Sequence, residues 1–490
     1  MRFVGDSIAY TALRKVQMKR RTKIIATIGP ATRDPESLEK LIVAGVDVVR
    51  LNFAHDSPDN HFRTAGLARK IAGAHQRSVG VLVDLPGPKM RTGPIAGDEV
   101  DLHAGRRFVL AGEHVEGNEQ RVSTTVPDLA QMLSVGDEVY LADGEIVLRV
   151  VAIEGSDVHT EVLTQGILRS RKGMHIPGAE RHIQAFTDAD RETLELAIKM
   201  KANFVGLSFI RDADDLNRAR EALPKRGYRP HLLAKIETRS ALDHLGEIIN
   251  ASDAVMVARG DLGIQTPLRR VPLLQKEIIQ LCNQKGVPVV TATQMLESMT
   301  RSSLPTRAEV TDVANAVLDG TDALMLSEET AVGDYPVMTV ETMAGIAEES
   351  EQQGRVHAEP ETRRREDDRV SWAVAHAGVA AAEDLGVQAI LCPTRTGSTV
   401  RRVAAFRPSM PVVGIASREQ TLGVMALNWG VIPLFTEDLG EARDMRDETD
   451  RAVAVARTAG LINASQLVAV VAGSPGPRAG RTDFMRIVRC

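Results

Sequence analysis

Eight short apolar runs, each followed by a segment with helical spacing, constrain this chain more than any other feature. They cover residues 23–28, 47–53, 79–85, 204–210, 231–237, 254–258, 287–292 and 323–327. Each is rich in β-branched residues and nearly continuous in apolar character, as strands buried on both faces are. The segments between and after them, 35–44, 59–74, 188–200, 212–223, 240–249, 268–283, 307–318 and 336–348, read as helices. In 188–200 the apolar residues Leu194, Ala197 and Ile198 recur with helical spacing, and Thr187 with Asp190 has the spacing of a capping box. This alternation predicts an α/β chain built on a closed (β/α)8 TIM barrel. The rival, an open doubly wound sheet, does not need eight regular units, and no G-x-G-x-x-G follows the first run.

One connection breaks the rhythm. Between the third and fourth runs lies a segment far longer than an ordinary loop. It holds short alternating runs at 138–141 and 146–153, punctuated by turn signals at 135–137, 142–144 and 154–157. It reads as an inserted all-β domain. It leaves the barrel at the strand C-terminal face, where it is placed to act as a lid; the plainer reading is a passive ornament. After the barrel, the charged stretch 348–369 reads as a linker plus helix start. Beyond it, runs at 389–392, 412–415, 431–435 and 467–471 alternate with helical spacing as a separate α/β domain. The expected division is an N-terminal extension 1–18, barrel 19–87 and 184–354, lid 88–183, linker 355–369 and C-terminal domain 370–490.

Composition narrows the class. The 490 residues are 43% hydrophobic but only 3% aromatic, so the cores must be aliphatic. The net charge of −5, with signs interspersed, argues against a nucleic-acid binder. Cys282, Cys392 and Cys490 are odd in number and far apart, which argues against a disulfide framework or a zinc site and suits a reducing cytoplasm. No run of 18 apolar residues predicts a membrane span, and the first 21 residues lack an apolar stretch of signal-peptide length.

Polar clusters stand at the C-terminal ends of the runs. In a strand, residues i and i+2 share a face, so Lys235 and Glu237 would put an ammonium and a carboxylate side by side over a barrel mouth; alone, they could equally be a salt-bridged strand end. The sixth run passes into Ala258-Arg259-Gly260-Asp261, a second carboxylate at the same rim. Two carboxylates suit Mg²⁺, which keeps places for substrate and water. A short helix starting there would offer free N–H groups to a substrate carboxylate. Arg50 and Asn52 share a face at the end of the second run, where an Arg suits bidentate phosphate recognition. The third run ends at Asp84 and leads to Lys89 and Arg91. Thr291 and Thr293 put two hydroxyls on one face at the end of the seventh run, and Ser327 closes the eighth. Any one cluster could be structural; together on one rim they describe a site for a phosphorylated anion and a divalent metal. No P-loop, protein-kinase Gly-rich loop or H-R-D signature is present.

The strings LLAKIET (232–238), TKIIATIGPA (22–31), RLNF (50–53), GPKMRTG (87–93), VARGDLG (257–263), ATQMLES (292–298) and PTRAEVTDVANAV (305–317) together resemble the pyruvate kinase family, in the family's motif order and over almost the whole chain after residue 20. The resemblance implies phosphoryl transfer from phosphoenolpyruvate to ADP, giving pyruvate and ATP, with Mg²⁺ or Mn²⁺ held by Glu237 and Asp261. It implies that Lys235 lies along the transferring phosphoryl group and that Arg50 grips the phosphate. Thr293, and more remotely Ser327, fall in the region that protonates the enolate. The Ala258, Arg259, Gly260 and Asp261 backbone receives the substrate carboxylate. Asn52, His55, Arg91 and Lys172 match nucleotide-side positions, and Phe209 an aromatic packed under the reactive lysine. A cytoplasmic, glycolytic homotetramer is the family habit.

Three departures cluster. Potassium-dependent members carry Ser, Thr and Glu where this chain has Ala54, Leu85 and Lys89. The first two changes remove potassium ligands, and the third adds a fixed cation. Two unit charges about 4 Å apart repel by roughly 4 kcal/mol at an effective dielectric near 20. The expectation is an enzyme independent of potassium, with the Lys89 ammonium, beside Asn52 and Asp84, in place of the ion. Pro86 and Glu328 are further departures without a physical account.

In the C-terminal domain, Thr394-Arg395-Thr396-Gly397-Ser398-Thr399 lies between a strand and a helix, a phosphate-cradle pattern. The family binds phosphorylated effectors there, and Arg401, Arg402 and Arg407 would add charge; the plainer reading is a helix-capping turn. Two rival functions remain on the same fold: a lyase handling phosphoenolpyruvate or pyruvate, which needs no nucleotide lid, and a non-catalytic metabolite sensor, which has no need of Lys235.

Overall fold

The structure is a computed structural model that describes residues 20–88, 90–126, 128–178, 184–353, 368–474 and 481–490. The extension 1–18, Lys89 and most of the expected linker therefore lie outside the described residues.

Eight parallel strands close into a barrel: β1 Lys23–Thr27, β2 Val48–Asn52, β3 Gly80–Asp84, β4 Phe204–Leu207, β5 His231–Ile236, β6 Ala254–Ala258, β7 Val289–Ala292 and β8 Ala323–Leu326. The order around the barrel follows the chain, and β8 pairs with β1 to close it. The open-sheet alternative is thereby excluded. Side chains alternate between two apolar layers. Ile24, Val49, Val81, Val205, Leu232, Val255, Val289 and Leu324 face the surrounding helices. Ile25, Val48, Leu82, Phe204, Leu233, Met256, Val290 and Met325 fill the interior.

The helices carry the stops and starts the sequence suggests. Pro35–Ala44 is capped by Asp34, and Asp188–Lys199 begins with the expected Thr187–Asp190 capping box. Arg307–Asp319 has a second box, Thr306 with Glu309. Two expected helices differ in detail. The one at 240–249 breaks at His244 into Arg239–Asp243 and Leu245–Ala251. The one at 268–283 opens with a 3-10 turn, Leu268–Arg270, before Val271–Lys285.

Between β3 and β4 the chain builds an all-β unit. Its six-stranded sheet includes Glu138–Leu141, Ile146–Glu154, Asp157–Thr164 and Met174–His175, and Gly166–Arg169 pairs separately with Glu99–Leu102. Phe108, Leu110, Val139, Leu141, Ile146 and Leu148 form a core of its own. The 142–144 turn is a short 3-10 helix, Ala142–Gly144.

The C-terminal sheet runs Val431–Phe435, Val412–Ala416, Ile390–Pro393, Leu467–Ala472, Phe484–Arg489. Its last strand is antiparallel to its neighbour and was not expected from the sequence. This domain stoppers the barrel floor: Ala426 and Leu427 join the interior apolar layer. Around them, Lys23 Nζ donates to the Val431 carbonyl at 2.7 Å, Arg407 pairs with Asp322 at 3.2 Å, and Arg407 and Arg21 both lie over the Trp429 ring. The opposite mouth of the barrel faces the β unit. Among the described residues, no helix is long and apolar enough to cross a membrane.

Candidate active site

The ends of β2, β3 and β5 converge on one charge cluster. Arg50, on β2, donates from Nε and Nη2 to Asp84 Oδ2 at 2.9 and 2.6 Å, and from Nη1 to Thr27 Oγ1 at 3.0 Å. Lys235, on β5, donates to Ser208 Oγ at 2.8 Å and stands 3.4 Å from both Asp84 Oδ1 and Glu237 Oε2. The alternation expected of β5 therefore does bring Lys235 and Glu237 together. Asp84 is nearly fully buried and serves both cations, so the two positive groups are held in fixed positions without consuming each other's space. Burial works against the Lys235 ammonium, but Asp84, Glu237 and Asp261 override it and raise its pKa.

Glu237 sits just past the end of β5, 1% exposed. Its Oε1 accepts the Phe209 backbone N–H at 2.6 Å, which requires a positive φ of 55° at Phe209. Its Oε2 is buried with no hydrogen-bond partner among the described residues. Burial pushes its pKa up to about 7, against the pull of Lys235. The Lys235 ammonium, 3.4 Å away, attracts Oε2 without a hydrogen bond; a buried carboxylate oxygen lacking one is costly, and a further cation would relieve it. Asp261, one-third exposed, adds a second hard oxygen donor. Among the described residues no group of three metal-ligating side chains gathers. Two carboxylates plus substrate oxygens and water are what Mg²⁺ or Mn²⁺ takes, so the donor set fits such an ion.

A short helix, Arg259–Gln265, does begin directly after β6. The Gly260 N–H is met by Thr293 Oγ1 at 2.8 Å. Thr293 itself has a φ of 65°, rare for a β-branched residue and a mark of a constrained site. The Arg259 side chain points elsewhere: it pairs with Asp312 at 2.7 Å and donates to the Ala292 and Thr293 carbonyls. Only its backbone is left to face a substrate. The Ser327 N–H donates to Glu329 Oε2 at 2.6 Å, and Glu329 Oε1 accepts from Leu296, so one buried acid ties the exits of β7 and β8.

Between barrel mouth and lid lies a cavity of about 290 Å³. It brings together the expected His55, Arg91, Lys172 and Asp261, with Phe209. Asn52 does not line it; its Oδ1 accepts the Ala54 N–H at 3.2 Å. His175, Gln265 and Glu328 are also among its walls; the sequence pattern gives the first two no role and offers no account of Glu328. Thr27 and Ser208 also escape the sequence reading, although each ends or follows a barrel strand, the signal that found the others. Lys89, expected beside Asn52 and Asp84, lies outside the described residues.

In the C-terminal domain, Gly397 (φ 86°) donates to Thr394 Oγ1 at 2.9 Å, Thr396 and Ser398 hydroxyls meet at 3.1 Å, and Thr421 donates to the Arg395 carbonyl. Thr399 bonds Thr482 at 2.9 Å. The helix Ser398–Ala405 starts there. Two of the three arginines expected to charge this loop are engaged elsewhere: Arg402 pairs with Asp368 at 2.5 Å, and Arg407 with Asp322 in the barrel floor.

Comparison with known proteins agrees with this architecture. Residues 19–340 match the family model for the pyruvate kinase barrel domain, and residues 372–488 that for the pyruvate kinase alpha/beta domain. A pyruvate kinase of Thermococcus litoralis is 39% identical over 473 residues, covering 95% of this chain and 98% of that protein. One from Geobacillus stearothermophilus is 38% identical over 479 residues, covering 96% and 80%. The crystal structure of a pyruvate kinase from Cryptosporidium parvum superposes with a TM-score of 0.86 at 32% identity, covering 96% of each chain. With both domains matched and relatives aligned along nearly its whole length, the chain belongs to the pyruvate kinase family of phosphotransferases.

Proposed function

We propose that this chain transfers the phosphoryl group of phosphoenolpyruvate to ADP, and that it does so without potassium. The observation that supports this most is the Arg50–Asp84–Lys235–Glu237 cluster: two cations fixed by a shared buried acid, at the mouth of a barrel, beside an acid whose Oε2, paired with Lys235 at 3.4 Å but without a hydrogen bond, suits a metal.

Phosphoryl transfer depends on positioning and charge neutralisation more than on covalent help. Arg50 holds the phosphate of the substrate. Lys235 offsets the charge that develops as the group moves. The Ala258–Asp261 backbone receives the carboxylate. Thr293, with Ser327 behind it, belongs to the side where the enolate is protonated. His55, Arg91 and Lys172 face the diphosphate of the nucleotide, with Asn52 nearby. Glu237 and Asp261 would hold Mg²⁺ or Mn²⁺, which supplies Lewis-acid stabilisation of phosphoryl oxygens. Catalysis falls to the barrel and enclosure to the lid 88–183. The C-terminal domain 370–490 takes a phosphorylated effector at its loop 394–399. A cytoplasmic homotetramer completes the reading.

Potassium independence is supported by Ala54 and Leu85, which offer no ligand, and by the Lys89 cation in the same stretch. A coupled assay in buffer free of potassium and sodium tests both parts. ADP-dependent pyruvate formation at full rate is expected. Strong activation by KCl refutes the potassium reading alone, and the absence of ADP-dependent pyruvate formation refutes the kinase reading.

A further inference from the structure

The lid and the barrel meet over the helix that carries Asp261. Lid Gly144 lies against Ile264; a Cβ built on Gly144 would stand 3.8 Å from Ile264 Cγ1. Next to it, Met174–His175 pairs with Glu138–Leu141 in the lid sheet, His175 opposite Tyr140. The His175 side chain leaves the lid and enters the barrel mouth. It is 8% exposed. Its Nε2 stands 3.9 Å from Asp261 Oδ1, the one acid within ion-pair range of it among the described residues. Its ring lies 6.3 Å from that of Phe209, tilted by 44°. Phe209 is the residue whose backbone N–H holds Glu237 Oε1. One lid side chain therefore approaches one carboxylate, Asp261, and the residue that supports the other, Glu237. The 3.9 Å gap is too long for a direct hydrogen bond; a bridging water or a small downward shift of the lid closes it.

We propose that His175 is the lid's positioning residue for the divalent-cation site: with the lid down, the imidazole steadies Asp261, and its contact with Phe209 steadies the N–H that holds Glu237. This rests on the assignment of Glu237 and Asp261 to the metal made above. Linkage makes the coupling reciprocal, so the factor by which closure strengthens cation binding is the factor by which the cation favours closure.

The test uses the full chain with Mn²⁺ alone and no substrate, so it does not depend on turnover. Free Mn²⁺ is read by electron paramagnetic resonance for the wild type, His175→Gln and His175→Leu. Lid closure is read by hydrogen exchange across Glu138–Leu141 and Met174–His175, with and without Mn²⁺. Gln keeps a polar end toward Asp261; Leu keeps only apolar volume, which preserves packing. The Leu variant should lose about tenfold in Mn²⁺ affinity, the lower end for a group that orients a metal ligand, together with the Mn²⁺-induced protection of the lid. The Gln variant should keep most of both. A Leu variant that binds Mn²⁺ like the wild type, or two variants that weaken alike, overturns the proposal and marks His175 as packing. A wild type that binds no Mn²⁺ overturns it together with the metal assignment. Pyruvate formation by the wild type judges the kinase reading separately.

Discussion

Replacing Lys235 by Met removes the only ammonium between Asp84 and Glu237 among the described residues. At 3.4 Å, each contact is worth about 5 kcal/mol of attraction at an effective dielectric near 20, before desolvation is counted. Desolvation of the ions takes back several kcal/mol, and breaking a buried pair from one side typically costs about 3–5 kcal/mol of stability. Here the cost falls at the low end. Asp84 keeps Arg50, and Glu237, with its pKa raised to about 7, can take a proton. Urea unfolding at pH 7 should therefore show a loss of about 3 kcal/mol. The catalytic loss has a different size and origin. A donor aimed at developing charge contributes about 10²–10³-fold to kcat. Since Arg50 stays tied to Asp84 and Thr27, ground-state binding should change little. Steady-state assays on protein confirmed as folded should give a kcat lower by about 100-fold or more, with the KM for phosphoenolpyruvate nearly unchanged. A kcat within a few-fold of wild type, or a loss carried wholly by KM, refutes the role given to Lys235.

Glu237→Gln removes a proposed metal ligand but also a costly buried charge. Mn²⁺ titration should show a loss of affinity beyond about tenfold, while thermal stability holds or rises; unchanged affinity removes Glu237 from the metal site. Thr306→Ala deletes half of the capping box of Arg307–Asp319 and should cost about 1 kcal/mol in urea unfolding, with no change in kcat. Lys23 is buried in the barrel floor, and desolvation pushes it down to about 8 from 10.5. Between those values the unfolded chain holds a proton that the folded chain has shed, so stability from this group rises with pH across the window. Comparing wild type with Lys23→Met at pH 7.5 and pH 10 should show the difference moving in favour of the wild type as pH rises; movement the other way refutes the assignment.

The barrel was legible because buried parallel strands leave a distinctive trace: apolar runs with no polar alternation. What blurred was where they stop. The run 204–210 looks like one strand, yet β4 ends at Leu207, because Ser208 turns its hydroxyl to Lys235 and Phe209 takes a positive φ to reach Glu237. These contacts sit where the backbone turns although the apolar pattern continues. The strand Phe484–Arg489 escaped for the opposite reason: Arg486 and Arg489 interrupt its pattern, and an edge strand needs only one neighbour. The site residues that sequence reading found lie at ends of recognisable strands. His175 does not. It sits on a two-residue strand inside the lid, far along the chain from Asp261, and nothing in local periodicity points it at the barrel.

The charges gathered at the mouth are those a divalent metal would balance. Arg50 and Lys235 face Asp84, Glu237 and Asp261. Among these described groups the acids outnumber the cations, and Asp84 already occupies both cations before any substrate arrives. A phosphorylated carboxylic acid would bring several more negative charges into a place where Lys235 and Glu237 are buried. Fixed protein cations alone leave that assembly repulsive, and a low effective dielectric magnifies the penalty. A divalent ion between the carboxylates and the substrate reverses the sign of the balance. Asp84 then serves orientation: it pins Arg50 and Lys235 in place, so little reorganisation remains when the phosphoryl group begins to move. The same arrangement accounts for the lid. A closing lid would remove water from these contacts and strengthen each of them, and would bring down a side chain, His175, whose one acidic neighbour among the described residues is the residue that would hold the ion.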